Sequence, residues 1–167
     1  MSYFYVTTTN VIKTCLRGEN ALDALRHLWD TEIMQKLILL DQNSSCKDDI
    51  KNIFSKEEIA LLDIEELANE ISDYYFEDGD YPEFPENGAS IREDGTCRVI
   101  FSCQGDGCMH EQLTMYFSFA IHSRFGTDQS FSQFTVCDQS FGKQDVYTFE
   151  VFADGHCEEK MCTLQSR

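Results

Sequence analysis

Between Lys56 and Arg92 the chain carries no basic residue, while twelve Asp and Glu fall between Glu57 and Glu86. Whatever this stretch folds into must hold those charges apart or present them to something positive. Ser55 and Glu58 have capping-box spacing, which predicts a helix start at that point. Ala60, Ile64, Leu67, Ala68, Ile71, Tyr74 and Tyr75 fall on one apolar stripe at 100° per residue. Asp63, Glu66, Glu70, Asp73 and Glu77 fall opposite, spaced three and four apart. The expectation is one acidic amphipathic helix over about 56–77. From Glu57 to Glu77 it would carry eight acids in roughly 30 Å, or one carboxylate every ~4 Å. A single DNA strand carries one phosphate per 3.4 Å of axis.

The helix pattern gives way to Glu77-Asp78-Gly79-Asp80-Tyr81-Pro82-Glu83-Phe84-Pro85-Glu86. Each proline pushes the residue before it out of the helical region, so this segment reads as a loop. Tyr81 and Phe84 among carboxylates suit a protein-binding surface, because aromatic residues are enriched at interfaces. They equally suit a loop pinned to a core. A calcium loop does not fit, since the alternating ligands with Gly at the sixth and Glu at the twelfth position are absent.

An amphipathic helix must show some polar face to water, and a charge run is usually just that. Ordinary solvated faces nonetheless intersperse Lys and Arg with Glu, gaining a few tenths of a kcal/mol per pair. Here acids three or four apart repel by a similar amount, and a sequence that keeps such repulsion can use the field for recognition. The net charge of −17 is unevenly placed. Residues 1–47 hold five acids and five bases, residues 48–86 fourteen and two, and residues 87–167 eleven and six. This balance argues against direct binding to nucleic acid or an anionic membrane, and allows binding to a protein with a basic groove.

The remaining chain predicts an α+β protein. Ser2–Thr8 is aromatic and β-branched, and reads as a strand. Leu22, Leu25, Trp29, Ile33, Leu37 and Leu40 mark a helix from Asn20, with Asp30-Thr31 as a break point. Asp48–Phe54 reads as a short helix. In the second half, Glu93-Asp94-Gly95 and Asp154-Gly155 are hairpin signals. Leu113, Met115, Phe117, Phe119 and Ile121 alternate with Thr114, Tyr116, Ser118, Ala120 and His122, which predicts a strand. With Phe131–Cys137, the expectation is a C-terminal antiparallel meander of about five strands. The N-terminal strand and helices would pack on it. A mainly helical segment 1–86 and a sheet segment 87–167 would make one compact domain.

For chemistry, Cys103, Cys108 and His110 form the sharpest metal candidate, with Cys97, His156, Cys157 and Cys162 further off. Thiolate and imidazole ligands suit zinc, but the paired two-residue spacing of common zinc folds is missing. Cys97 and Cys103 also lie on the apolar parity of a strand, where free Cys behaves as a small hydrophobe. No Gly-x-Ser-x-Gly elbow or phosphate-binding Gly-rich loop is present, and His110-Glu111 lacks the second His of a zinc-protease helix. His27 and His122 read as structural or surface residues. No cofactor is expected. Met1–Leu16 lacks a basic leader and a continuous apolar core, and a cytoplasmic protein is expected.

The leading expectation is a small non-enzymatic inhibitor or binding protein. Asp63, Glu66, Glu70, Asp73, Glu77, Asp78, Asp80, Tyr81, Glu83, Phe84 and Glu86 would dock on the basic surface of a nucleic-acid-binding partner. Phage proteins that block CRISPR complexes and immunity proteins of nuclease toxins act this way as a class, an analogy of charge only. A zinc- or thiol-bearing β module and an enzyme without a motif-borne site are the alternatives.

Overall fold

Phe4–Lys13 forms strand β1, ten residues dominated by aromatic and β-branched side chains. The computed structural model describes residues 4–42, 47–71, 83–105, 111–127, 130–140, 143–152 and 156–165. β1 pairs antiparallel with β3 (Thr96–Gly105) on one side and β4 (Ser130–Ser140) on the other. Beyond β3 lies the short β2 (Ala89–Ile91), and beyond β4 lie β5 (Lys143–Phe152) and β6 (Cys157–Gln165). The six-stranded sheet has the order β2-β3-β1-β4-β5-β6. Its C-terminal part, β4-β5-β6, is a three-stranded antiparallel meander.

Helices cover one face. Alternate β1 residues Thr8, Asn10 and Ile12, and Thr14 just beyond, are buried beneath them, while Val11 and Lys13 are exposed on the other face. Such one-sided burial is normal for an antiparallel sheet. The β2–β3 hairpin turns at Gly95, whose φ is +85°. A Cβ at this position would also strike the Thr14 carbonyl oxygen, so glycine is required on both counts. The Thr14 hydroxyl donates to the Gly95 carbonyl at 2.7 Å, tying the turn to the end of β1.

Two expectations need correction. The stretch read as the clearest strand, Leu113–His122, is a helix, α6 (Glu111–Phe125). Its odd positions are apolar, but Thr114, Tyr116 and Ser118 are buried as deeply as Leu113 and Phe117. A helix enclosed on most sides loses its 3.6-residue signature, and chance alternation then imitates a strand. Thr114 and Ser118, four apart, face β1. The Thr114 and Thr8 hydroxyls lie 3.2 Å apart, and Ser118 Oγ donates to Asn10 Oδ1 at 2.6 Å. Polar residues that looked like the wet face of a strand are a buried seam between helix and sheet. The place in the sheet expected for this segment is held by β1, so the five-strand C-terminal meander is not what forms.

The acidic helix is also not one helix. α4 (Lys56–Leu61) stops at Leu62, which is extended (φ −100°, ψ 141°), and α5 (Ile64–Ile71) starts afresh. Leu61 and Leu62 are both buried, and a break lets two neighbouring side chains enter the core. Asp63 Oδ1 accepts the Glu66 N–H at 3.1 Å and so acts on the first turn of α5 as a cap. The capping box at Ser55 and Glu58 is present. An axis of eight carboxylates is therefore interrupted after Glu58.

α1 (Ala21–Leu28) and α2 (Met34–Gln42) are joined by a π-helical turn, Trp29–Ile33, rather than broken at Asp30-Thr31. The wider turn shifts the helix phase, and the adjacent pairs Leu28/Trp29 and Ile33/Met34 are all buried. α3 (Lys47–Ile53) follows the expected short helix. Trp29 is the centre of the core. Its ring meets Phe117 edge-on at 4.9 Å, Phe101 at 6.1 Å and Phe84 at 6.4 Å.

Cys97, at register with Ile12, is fully buried, whereas Cys15 is exposed. Burial pushes the Cys97 thiol from 9.0 up to about 12. The neutral thiol is favoured in the fold, so this contribution to stability is whole below pH 9.0 and is lost as pH climbs toward about 12. With iodoacetamide at pH 8, Cys15 is expected to be alkylated readily in the native protein. Cys97 should react slower by on the order of 10³-fold or more, through opening of the fold. Peptide mass spectrometry with and without urea checks this, and equal native rates would contradict the buried placement.

Candidate functional site

The acids of α4 and α5 differ in what meets them. Glu58 is buried, with its side chain 8% exposed, and Lys36 Nζ donates to its Oε1 at 2.9 Å. The same oxygen accepts the Ser55 N–H at 3.0 Å. Glu57, Asp63 and Glu65 are exposed and Glu66 is half-buried. Among the described residues none of these four has a Lys or Arg in ion-pair contact, although acids elsewhere do. Glu70 belongs to α5, but its side chain lies outside the described residues, as do Asp73, Glu77, Asp78, Asp80 and Tyr81 altogether.

The segment that follows is anchored, not free. Phe84, expected on a partner-binding surface, is buried against Trp29 and Phe117. The physical reason is its apolar ring, which packs edge-on against both aromatic neighbours. Glu86 is compensated by a base from far along the chain. Arg26 Nε and Nη2 donate to its two oxygens at 2.6 and 2.7 Å, while Arg26 Nη1 donates to Asp23 at 2.6 Å. This fork holds the Glu86 carboxyl below its ordinary range and the Arg26 guanidinium above its own, in each case chiefly through their shared hydrogen bonds. Arg26 also lies over the Phe84 ring at 5.7 Å. Glu83 remains exposed. Thus Glu83 keeps an uncompensated surface position among the described residues, while Phe84 and Glu86 serve the fold.

A cavity of about 820 Å³ opens where α2, the start of α4 and the C-terminal half of α6 meet. Sequence reasoning missed it because Tyr116, Phe119 and Arg124 were placed on or beside a strand. Its walls are braced by two ion pairs. Lys36 reaches Glu58 from α2, and Arg124 of α6 pairs with Glu32 of the π turn. The buried Tyr116 phenol lines the same cavity as the Glu58 carboxylate. Burial first, and then the Glu58 charge, push the Tyr116 phenol well above its usual range. Lys36 Nζ also stands 6.0 Å from the Phe54 ring centre. The one advance signal was Glu58, visible as a capping-box residue but not as a buried acid.

Cys103 lies on β3, paired in register with Val6 of β1, whereas Cys108 and His110 fall outside the described residues. Among the described residues, no group of three His, Cys, Asp or Glu side chains is placed to hold a metal ion. His156 stacks on Phe152 at 4.2 Å. No described helix is long and apolar enough to cross a membrane. Comparison with protein-family models, curated proteins and solved structures finds no match for this chain.

Proposed function

We propose that this protein is a small acidic, non-enzymatic binding module that docks on the basic, nucleic-acid-binding surface of a partner protein. Its carboxylates take positions that phosphates would otherwise occupy, in the manner of a nucleic-acid mimic acting as an inhibitor. One observation carries the reading: among the described residues, Glu57, Asp63, Glu65 and Glu66 on and between α4 and α5 have no basic partner, whereas Glu32, Glu58 and Glu86 each do. The chain has basic side chains that pair with acids across the fold, yet leaves this patch negative. Glu70, Asp73, Glu77, Asp78, Asp80, Tyr81 and Glu83 extend the same acidic run in the sequence. The break at Leu62 makes the binding surface two short segments rather than a rod of charge.

The test is charge reversal at D63K, E66K and E70K together. Partner binding should weaken by about 10²-fold, mostly through a slower association rate, with the circular dichroism spectrum retained. Wild-type binding should fall steeply between low and high salt and should be displaced by duplex DNA. Retention of the same partner by the reversed variant, or indifference to competing DNA, would overturn the proposal.

A further inference from the structure

The cavity between α2, α4 and α6 has a charge balance of its own. Its ionised lining is Glu32, Glu57 and Glu58 against Lys36 and Arg124. The two bases are both engaged, Lys36 with Glu58 and Arg124 with Glu32. Glu57 is left over, exposed and without an ion pair among the described residues. An anion entering here would have to draw Lys36 or Arg124 away from a partner. A cation meets Glu57 without breaking either pair.

Two further features favour positive charge. α6 is fifteen residues long, and its last turn lines the cavity through His122, Ser123 and Arg124. The C-terminal end of a helix carries partial negative charge, which attracts cations. The N-terminus of α4 also borders the cavity, where the Ser55–Glu58 box takes up two of its N–H groups and the Glu57 carboxylate sets a full negative charge beside the first turn. Phe119 and Ala120 add an apolar wall, and an aromatic ring is a good neighbour for a planar guanidinium. The field of a chain with net charge −17 acts in the same sense over a longer range.

We propose that this cavity is a binding site for an organic cation, a guanidinium or primary amine on a short aliphatic chain. Glu57 receives the charged head, and Phe119 and Ala120 pack the chain. The Lys36–Glu58 and Arg124–Glu32 pairs hold the walls apart without taking part in recognition. The cation is either a free small molecule or the side chain of an arginine or lysine presented by another protein. This inference shares Glu57 with the acidic patch of the proposed docking function, but the reversal of Asp63, Glu66 and Glu70 leaves Glu57 and Ala120 in place, so the two readings fail in separate experiments.

Calorimetric titration of the full chain with agmatine is the direct experiment. Saturable one-to-one binding is expected at a dissociation constant of ~0.1–1 mM. E57Q should weaken it about tenfold and E57K further, while E93K, on the distant β2–β3 turn, should leave it within about twofold. A120W, which fills the cavity, should abolish binding, and the exposed Glu57 variants keep the test valid if A120W fails to fold. An arginine-centred tripeptide amide, run in parallel, separates the sources. Tighter agmatine binding assigns a free ligand, and tighter peptide binding assigns a protein side chain. The proposal is overturned if agmatine fails to saturate by about 10 mM, or if glutarate or inorganic phosphate binds more tightly. Unchanged agmatine affinity in E57K would overturn it as well.

Discussion

Trp29→Ala is expected to destabilise the protein by about 3–5 kcal/mol, the cost of emptying a large aromatic site in a packed core. Trp29 is 1% exposed and touches three rings that come from three separate places in the chain, Phe84, Phe101 and Phe117. Deleting it removes the surface on which the 83–88 segment, β3 and α6 all rest. Domains of ordinary size have only about 5–15 kcal/mol of total stability, so the variant should lie near its unfolding midpoint at ambient temperature. Urea titration followed by circular dichroism measures the loss, since the chain has one Trp and its fluorescence disappears with it. Trp29→Phe should recover more than half of the difference. A loss below ~1 kcal/mol for the alanine variant would mean that the aromatic cluster is not the structural centre.

Glu58→Ala is the second large effect, expected at about 2–4 kcal/mol. Losing the capping box accounts for about 1 kcal/mol. The buried Tyr116 hydroxyl loses its charged polar neighbour, which adds about 1–3 kcal/mol. Lys36 contributes little, because its half-exposed ammonium can turn to water. Glu58→Gln keeps a capping-box residue and a polar neighbour for Tyr116, and should restore at least half of the stability. Tyr116→Phe removes the group that Glu58→Ala strands. The double variant should therefore be less destabilised than the sum of the single ones, by about 1 kcal/mol. Strict additivity in thermal or urea unfolding would show that Glu58 and Tyr116 do not act together.

The parts of this fold that were legible in the sequence are those set by local chemistry. β1 declared itself by β-branched and aromatic residues, the β2–β3 hairpin by Asp94-Gly95, and the start of α4 by Ser55 and Glu58. The errors came where burial overrides period. α6 is surrounded by β1, the α1–α2 helix and α4, so its Thr and Ser positions are buried polar contacts rather than a solvent face. α4 and α5 share an apolar stripe on paper, but Leu61 and Leu62 both enter the core, and the chain breaks there to admit them. The candidate surface was half legible for the same reason. A run of acids can be counted, but only the folded chain shows that Arg26 and Lys36 come from elsewhere to meet Glu86 and Glu58. The cavity was not legible at all, since its walls come from separated stretches of the chain.

The placement of β1 between β3 and β4 has a consequence for biosynthesis. The strand leaves the ribosome before its partners: the Phe101 carbonyl that meets Thr8 follows 93 residues later and the Ser118 hydroxyl that meets Asn10 follows it by 108. Translation at roughly 5–20 residues per second leaves β1 waiting for several seconds with both edges open. Long-range pairing of this kind is slow in any case, because loop closure must precede the contacts that reward it. During that interval a nascent β1, rich in threonine and aromatic residues, is a template for other chains, and chaperone capture of the emerging polypeptide would suppress such encounters.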